Sequence, residues 1–463
     1  MDLRAKLGRL RIGSTLAASS ALALAPAFEA EIERDKAERI ARLRALIAEV
    51  HERDHGRRAS PAVGRTASGV VGRTASHAVR DHEQQQQGAP WPSVATEHGV
   101  LHVVERWLQP DHHHGSAPVR AGLRSEPGTL AILTRDDALG DLDLSRALYL
   151  DTETTGLAGG TGSVAFLVGL ARFDAGVLCI EQLLVPNLGS EAPVLGRLAE
   201  RIAAASCVIT YNGKSFDWPL LRTRFVLSRM PVPQLPAHID LLHAARSLWK
   251  QRYASVRLTE IEREVLSFVR EDDIAGAEIP ARYFAYLRDG VGARLAPVLE
   301  HNQNDLIALA ALLGVLITRL EHVSTQCDPE DALAFGKLAL RMRDGTRALA
   351  CAQAALAGSH EAAATCRALM FASDVRRQLG ELAQAAQLIE QALTLAVHPP
   401  LRAALHFALA KLYEHDLELL AAALRHAQHT ELAEGPLAHG RRLGRLHRRL
   451  LRGAARVAVR SAS

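Results

Sequence analysis

The sequence predicts an α/β fold built on a mixed β-sheet that is flanked by helices. Short β-rich runs at 146–151, 163–172 and 177–185 are separated by glycine-containing turns, a pattern typical of an antiparallel meander. After the meander, helical and strand patterns alternate, which favours parallel strands connected by helices. Beyond residue 328 almost all of the chain has the apolar period of α-helices, so we expect an additional α-helical region.

The elements after the meander follow from the spacing of apolar residues. Helical spacing covers 192–205 and 217–228, whereas the short apolar runs at 207–211 and 237–241 are typical of buried strands. A longer helical region spans 258–320. Parallel strands joined to an antiparallel meander make the predicted sheet mixed, with helices covering it.

We divide the chain into four segments. These are an N-terminal extension at 1–120, an α/β domain at 125–322, a helical region at 328–435 and a basic tail at 436–463. The extension is predicted to hold one helix at 31–50 and to be otherwise largely disordered. Its 51–88 stretch is a low-complexity linker of Arg, Ser, Gly, His and Gln that has too little apolar surface to order itself. The helical region repeats roughly every 36 residues, which indicates a tetratricopeptide-like (TPR-like) repeat, with a simpler irregular bundle as the alternative.

The distribution of charge indicates possible partners of the protein, and its cysteines indicate a cellular location. The net charge is only +4, but eight arginines fall between Arg441 and Arg460, a stretch without acidic residues. They predict either an arm that contacts phosphates or a basic helix that docks on an acidic surface of the protein or a partner. Five widely spaced cysteines form neither a disulfide framework nor a zinc pattern, so we expect a cytoplasmic location.

The N-terminus loosely resembles a secretory signal, with a basic start and small apolar residues at 14–27. Serine and threonine interrupt that apolar stretch, and export is therefore the less favoured alternative. No run reaches the roughly eighteen apolar residues that a membrane span requires, so no membrane partner is expected. The adjacent histidines at 112–114 are interpreted as a solvated loop.

Two carboxylates stand at the end of the first predicted strand of the meander. Side chains alternate along a strand, so Asp151 and Glu153 share one face and Thr152 points to the other. Two like charges that close repel each other, and a divalent metal bound by oxygen ligands relieves the repulsion. The alternative is a strand that merely ends in solvated acids.

Two later stretches supply partners for these carboxylates. Asp217 begins a predicted helix after a buried strand and the polar turn that contains Asn212 and Lys214, although an aspartate there is also a good helix cap. His301 and Asp305 lie four residues apart on the last long helix, and therefore on one face of it.

Together these residues resemble the three motifs of the ribonuclease-H-like DEDD 3′-5′ exonuclease superfamily. Asp-Thr-Glu-Thr-Thr-Gly at 151–156 is similar to the first motif, Asn212 with Phe216-Asp217 to the second, and His301 with Asp305 to the third. The resemblance covers about 130–320. It is similar in particular to the YprB-type ribonuclease-H-like proteins, which also show features like His238-Ile239-Asp240 and the stretch at 279–283.

The resemblance implies a ribonuclease-H-like sheet and a two-metal site. Two divalent ions, Mg²⁺ or Mn²⁺, would be held by four ligands: Asp151, Glu153, Asp217 and Asp305. His301 would orient or deprotonate the attacking water. The family's histidine type usually has four residues between its histidine and aspartate, whereas this chain has three, as in the tyrosine type. His301 is thus a histidine at the tyrosine position, and a structural role for it stays open.

Further residues are candidates for contacting the substrate. Thr154, Thr155, Asn212 and Lys214 are placed to bind sugar and phosphate, with Lys214 equally well interpreted as a solvated turn residue. Basic residues around Trp249 and Tyr253 could contact a nucleic-acid strand, or could lie over core aromatics. Asp240 and Asp272-Asp273 are expected to support the site or to lie at the surface.

The resulting hypothesis is a metal-dependent nuclease that hydrolyses phosphodiester bonds in DNA or RNA as a 3′-5′ exonuclease. Its expected partners are nucleic acid and, through the helical C-terminal region, a further protein. One alternative is a non-catalytic adaptor that binds nucleic acid or protein. Another is an endonuclease of the same fold.

Overall fold

A computed structural model describes residues 92–156 and 162–461, with the backbone alone at 454–461. Seven strands form one sheet in the order β1-β2-β7-β6-β5-β8-β9, and β3 and β4 form a separate hairpin. The strands are β1 (Ser93–Thr96), β2 (Gly99–Trp107), β3 (His113–His114), β4 (Ala117–Pro118), β5 (Ala147–Thr154), β6 (Ala165–Asp174), β7 (Val177–Leu184), β8 (Cys207–Thr210) and β9 (Ala237–Asp240).

The sheet is mixed, which confirms the predicted fold class. Strands β5, β6 and β7 form the antiparallel meander, and β8 and β9 continue it as parallel strands on the β5 side. Parallel neighbours require crossover connections, and helices supply them on both occasions. The meander and the alternating part of the sequence therefore meet at β5, the strand that carries Asp151 and Glu153.

The sheet begins earlier in the chain than the sequence analysis predicted. Strand β2 pairs with β7 along six residues, and β1 pairs with β2, although 1–120 was expected to be an extension outside the domain. Leu101 is fully buried, which shows that β2 contributes to the core. The short length of β1 and the polar residues around it concealed this edge of the sheet. The predicted helix at 31–50 and the low-complexity linker lie outside the described residues.

Helices cover both faces of the sheet. The first eight are α1 (Thr129–Thr134), α2 (Ala192–Ala204), α3 (Asp217–Leu227), α4 (Leu241–Trp249), α5 (Leu258–Ile261, continued by a π-helix at Glu262–Leu266), α6 (Ile279–Asp289), α7 (Ala296–Glu321) and α8 (Val323–Gln326). One face packs on α2 and α3 through Leu148, Leu150 and Val208. The other face packs on α7 through Tyr149 and Ile209.

The long helix α7 is the central helix of the core. It forms a single span with its preceding turn, Gly292–Glu321, and this span is long and apolar enough to cross a membrane by length and composition. However, 67% of its most apolar window is buried inside the protein, because Leu306, Leu309 and Leu313 pack on the sheet and on neighbouring helices. The helix is therefore apolar because it lies in the core of the protein.

The C-terminal region is helical, as predicted. Its helices are α9 (Pro329–Arg341), α10 (Gly345–Gly358), α11 (Ala362–Gln378), α12 (Leu382–Leu395), α13 (Pro399–Lys411), α14 (Leu420–Ala427), α15 (Glu431–Glu434) and α16 (Pro436–Ser461). Phe335 and Phe371 belong to the same apolar cluster as the sheet residue Tyr149. The core thus runs without a break across the boundary predicted between 322 and 328. A TPR-like repeat stays a prediction.

A buried ion-pair network fastens the helical region to the α/β part. Asp331 at the start of α9 is 2% exposed and accepts hydrogen bonds from Trp249 Nε1 (3.0 Å), Arg252 (2.7 Å) and Arg319 (2.6 Å). Trp249 is itself fully buried. Trp249 and Arg252 therefore hold the two regions together, and the interpretation of this stretch as arginines over core aromatics is the correct one for them.

Candidate active site

Alternation along β5 distributes the site over both faces of the sheet. Asp151 and Glu153 are in phase with Tyr149 and face α7, whereas Thr152 is in phase with Leu150 and faces α3. A bulge interrupts the pairing of β5 with β6 between Glu153 and Thr154. The strand therefore presents its two carboxylates to the helix that carries His301 and Asp305.

Three of the predicted site residues meet at one point. Glu153, His301 and Asp305 each offer a ligand atom, and these atoms all lie within 4.8 Å of one another. Glu153 is 9% exposed, and His301 and Asp305 are partly buried. His301 and Asp305 are one helical turn apart, so both reach the carboxylate at the end of β5. The carboxylate oxygens of Glu153 and Asp305 are close enough to share one divalent cation, with the imidazole of His301 beside it.

Asp151 is held by a residue that the sequence analysis did not select. Asn302 Nδ2 donates to Asp151 Oδ2 at 2.9 Å, and Gln182 Nε2 donates to Asn302 Oδ1 at 3.0 Å. Asn302 is fully buried between the sheet and α7. Because both ends of its amide are bonded, Asn302 fixes the direction in which the Asp151 carboxylate points.

Asp217 approaches from the other face of the sheet. Thr152 Oγ1 donates to Asp217 Oδ1 at 2.5 Å, so the residue between the two strand carboxylates holds the third. Burial raises the pKa of Asp217 to about 6, although the bond from Thr152 opposes the shift. Asp240 fixes the turn that precedes α3, because its carboxylate accepts hydrogen bonds from the backbone N–H groups of Asn212 (2.7 Å) and Lys214 (3.1 Å).

The carboxylates of the site carry an electrostatic cost that a metal would remove. Burial, and then the charges of Asp305 and Asp217, raise the pKa of Asp151 well above its usual value. Burial and the charge of Asp151 act in the same direction on the pKa of Glu153. Carboxylates that favour protonation because they are buried, and because they repel one another, fit a divalent cation, so the residues present suit Mg²⁺ or Mn²⁺.

His301 has an acidic partner that is not one of the predicted metal ligands. Its Nδ1 lies 2.7 Å from Asp273 Oδ1, and its Nε2 lies 3.7 Å from Asp305 Oδ2. A carboxylate accepts hydrogen bonds, so Asp273 favours the tautomer with hydrogen on Nδ1 and a free lone pair on Nε2. Asp273 is exposed, and it nevertheless contacts the site through His301.

Arg270 brings a positive charge to the same place. It is paired with Glu262, Asp273 and Asp305. Burial opposes its charge, but Asp305 and Glu262 together raise the pKa of Arg270. Glu262 in turn contacts His114 at 2.7 Å, and both side chains are buried. The expectation that 112–114 is a solvated loop is therefore wrong for His114, which lies in the β3–β4 hairpin.

The four candidate substrate contacts divide into two groups. The hydroxyl of Thr154 donates to Gly156 O, and that of Thr155 accepts from Val164 N, both at 3.0 Å. These two threonines are buried, and their hydroxyls bond the backbone of Gly156 and Val164. Asn212 and Lys214 are exposed on the turn before α3, and Asn212 has a positive φ of 68°. Only Asn212 and Lys214 have side chains open to a substrate.

The residues that sequence reasoning missed share one property. Arg270, Glu262, Gln182 and Asn302 are polar side chains buried by contacts with residues far along the chain. The sequence did mark the polar run from 300 to 305 as unusual, since it leads into an apolar helix. It did not distinguish Asn302 from the neighbouring amides Gln303 and Asn304, because only the structure shows that Asn302 alone of the three is fully buried.

Comparisons with known proteins place this geometry in a family. The model of the RNase_H superfamily matches residues 148–317. "Uncharacterized protein YprB" of Bacillus subtilis (strain 168) is 31% identical over 307 residues, which cover 66% of this chain and 73% of that protein. A family B DNA polymerase from the hyperthermophilic archaeon Pyrobaculum calidifontis is 15% identical with a TM-score of 0.30. That match covers 46% of this chain and 29% of the polymerase.

Proposed function

This chain belongs to the ribonuclease H superfamily and is a YprB-type protein within it, and from that premise we propose that it is a metal-dependent nuclease. The proposed reaction is hydrolysis of phosphodiester bonds in DNA or RNA, with removal of nucleotides from the 3′ end. The proposed cofactors are two divalent ions, Mg²⁺ or Mn²⁺. The proposed ligands are the carboxylates of Asp151, Glu153, Asp217 and Asp305.

One observation carries the proposal. The carboxylates of Glu153, at the end of β5, and Asp305, on α7, lie within 4.8 Å of each other and of the imidazole of His301, so the two carboxylates can share a cation next to the imidazole. Asp151 and Asp217 approach the same strand end, each held by a hydrogen bond from a neighbouring side chain. A non-catalytic protein has no need to gather mutually repelling buried carboxylates, and the cost of doing so supports a catalytic role.

Three side chains of the protein have proposed roles in the reaction or in substrate binding, namely those of His301, Asn212 and Lys214. Divalent ions, when bound, supply Lewis acidity that activates a water molecule and stabilises the charge of the leaving oxygen. His301, with Nδ1 directed at Asp273, presents Nε2 as the group that accepts a proton from that water. Asn212 and Lys214 lie on the exposed turn that leads to Asp217, where they can bind the sugar and phosphate of the terminal nucleotide.

The test is a cleavage assay on end-labelled single- and double-stranded DNA and RNA with Mg²⁺ or Mn²⁺. We expect a ladder of products that shortens from the 3′ end. The labelled end reports the direction of cleavage, and the comparison of nucleic acids reports the substrate. Products cut internally would identify an endonuclease of the same fold. Binding without any cleavage would favour a nucleic-acid-binding adaptor.

Asp151→Asn is the matched variant for this assay. We expect cleavage to be abolished while the fold is kept, because the change removes one metal-binding charge and relieves carboxylate repulsion. Asn302 can still donate to the new amide oxygen, so the side chain stays in place. The measurement is the cleavage rate together with the midpoint of thermal unfolding in EDTA, which should not fall. Wild-type cleavage by purified Asp151→Asn protein would contradict the proposed site.

A further inference from the structure

Arg270 lies against the proposed metal ligands with almost no access to solvent. Its side chain is 5% exposed, and it extends from the segment between α5 and α6. Its Nη2 atom contacts both Glu262 Oε2, at 2.7 Å, and Asp305 Oδ1. Its Nη1 atom lies 3.2 Å from Asp273 Oδ2. The guanidinium group therefore joins a proposed metal ligand to the aspartate that orients His301.

The Arg270 side chain is anchored from behind. Nε donates to Glu262 Oε2 at 2.9 Å, and the other carboxylate oxygen of Glu262 lies 2.7 Å from His114 Nε2. Glu262 is fully buried, and the His114 ring packs on Phe268 with a centroid distance of 3.9 Å. Withdrawing the arginine would leave a buried carboxylate without its cation, which is strongly unfavourable. The guanidinium is thus fixed beside Asp305 by the fold.

We propose that Arg270 is a resident cation of the acidic site that competes with a divalent ion for Asp305. The inference rests on the proposed function, since it assumes that Asp305 is a metal ligand. An oxygen of Asp305 that accepts from Arg270 is not free to bind a metal, and a fixed positive charge also repels a second cation nearby. Arg270 therefore weakens metal binding and stabilises the metal-free cluster of carboxylates.

The opposite role for Arg270 makes the opposite prediction. If Arg270 merely held Asp305 in the geometry that the metal needs, removing it would weaken metal binding. If Arg270 competes for Asp305, removing it strengthens metal binding and lowers the stability of the metal-free protein. The sign of the change in metal affinity separates the two roles without any assay of cleavage.

The experiment is a calorimetric titration of the whole protein with Mn²⁺ alone, comparing wild type with Arg270→Met. We expect Mn²⁺ to bind about tenfold more tightly or better to Arg270→Met, since a unit charge a few ångströms from the ion is removed from a poorly solvated site. The midpoint of thermal unfolding in EDTA should fall. Arg376→Met is the matched control, because it removes an arginine paired with Glu381 in the C-terminal helices. Its Mn²⁺ affinity should equal that of wild type.

Arg270→Met can fail to fold because it leaves the buried carboxylate of Glu262 without its arginine partner. In that case the double variant Arg270→Met/Glu262→Gln is compared with Glu262→Gln, and the inference requires tighter Mn²⁺ binding in the double variant. Equal or weaker binding after loss of Arg270, in a wild-type background or in this one, overturns the inference and leaves the proposed function standing. Failure of both the wild type and the variants without Arg270 to bind Mn²⁺ overturns the inference and the proposed function together.

Discussion

His301 combines a position and a partner that no other histidine in the described residues shares. It lies one turn before Asp305 on α7, and Asp273 holds its Nδ1 from a separate loop. The short spacing to Asp305 is that of the tyrosine type, yet the imidazole still directs Nε2 to the carboxylates. This orientation supports the role of base that we propose for His301.

Replacing His301 tests whether it acts on the water. We expect His301→Ala to lower the turnover rate by roughly 10²- to 10⁴-fold, as for loss of a general base. Asp273→Asn should lower the rate by a smaller factor, because an amide no longer selects one tautomer. His322→Ala is the control, an exposed histidine at the end of the same helix. Wild-type turnover by His301→Ala would assign His301 a structural role.

Gly169 is the residue of β6 that permits the contact between Asn302 and Asp151. It pairs with Asp151 across the sheet, and the Asn302 amide fills the space beside it. A Cβ atom on Gly169 would lie 2.2 Å from Asn302 Oδ1, far inside contact distance. No side chain larger than hydrogen fits there unless Asn302 moves.

Gly169→Ala should therefore disturb the site by displacing Asn302. The displaced Asn302 would lose its bonds to Asp151 and Gln182, which we expect to cost about 1–3 kcal/mol of stability. We also expect cleavage to slow about tenfold or more as Asp151 loses its fixed direction. Gly276→Ala is the control, since a Cβ there meets nothing within 4 Å. Equal stability and equal rates in the two variants would contradict this account.

At the scale of an element, helix α16 carries two sets of arginines with different surroundings. Arg442, Arg445 and Arg449 converge on Glu414, which is fully buried, and Arg445 binds it through two hydrogen bonds of 2.7 and 2.9 Å. Docking on an acidic side chain of the protein, one of the two alternatives for this tail, accounts for these three. Arg441, Arg448 and Arg452 are exposed, and their spacing of seven and four residues places them on one side of the helix.

The exposed set is the candidate for phosphate contact. We expect replacement of Arg441, Arg448 and Arg452 by glutamine to weaken nucleic-acid binding and to reduce its salt slope by about 2–3. Thermal stability should be unchanged. Arg445→Gln should instead lower stability by about 1–3 kcal/mol, because buried Glu414 loses a charged partner. Binding measured between low and moderate salt is the readout, and an unchanged slope in the triple variant would exclude a nucleic-acid role for this face.

At the scale of the whole molecule, the N-terminal strands are part of one continuous core. Strand β2 covers the edge of β7, and Leu101 and Val103 pack into the cluster beneath α2. The β3–β4 hairpin supplies His114 to Glu262, which anchors Arg270. Fold and site therefore both depend on residues that precede the predicted domain boundary at 125.

Two shortened chains test this dependence. A chain beginning at residue 90 should unfold cooperatively with the midpoint of the full-length protein. A chain beginning at residue 121 should be unfolded or aggregated, because the unpaired edge of β7 is exposed and Glu262 loses His114. Circular dichroism during heating and size-exclusion chromatography report both states. A cooperative transition at the same temperature in the shorter chain would restore the predicted boundary.

The amino-acid sequence by itself determined the fold class and nominated the candidate ligands. Alternation along β5 and the turn-long spacing of His301 and Asp305 are local patterns, readable because each depends on neighbours within a few residues. The same reasoning located the meander, the parallel strands and the helical C-terminal region within a few residues of their observed bounds.

Only the tertiary structure decided what surrounds those ligands. Asn302 meets Asp151, and His114 meets Glu262, across about 150 residues of chain, and no local period encodes such pairs. The pairing of β2 with β7 was hidden for the same reason, since an edge strand of mixed polarity has no pattern that names its neighbour. Arg270 is an example. Its charge acts on the site only because the folded chain brings Glu262 and Asp305 next to it.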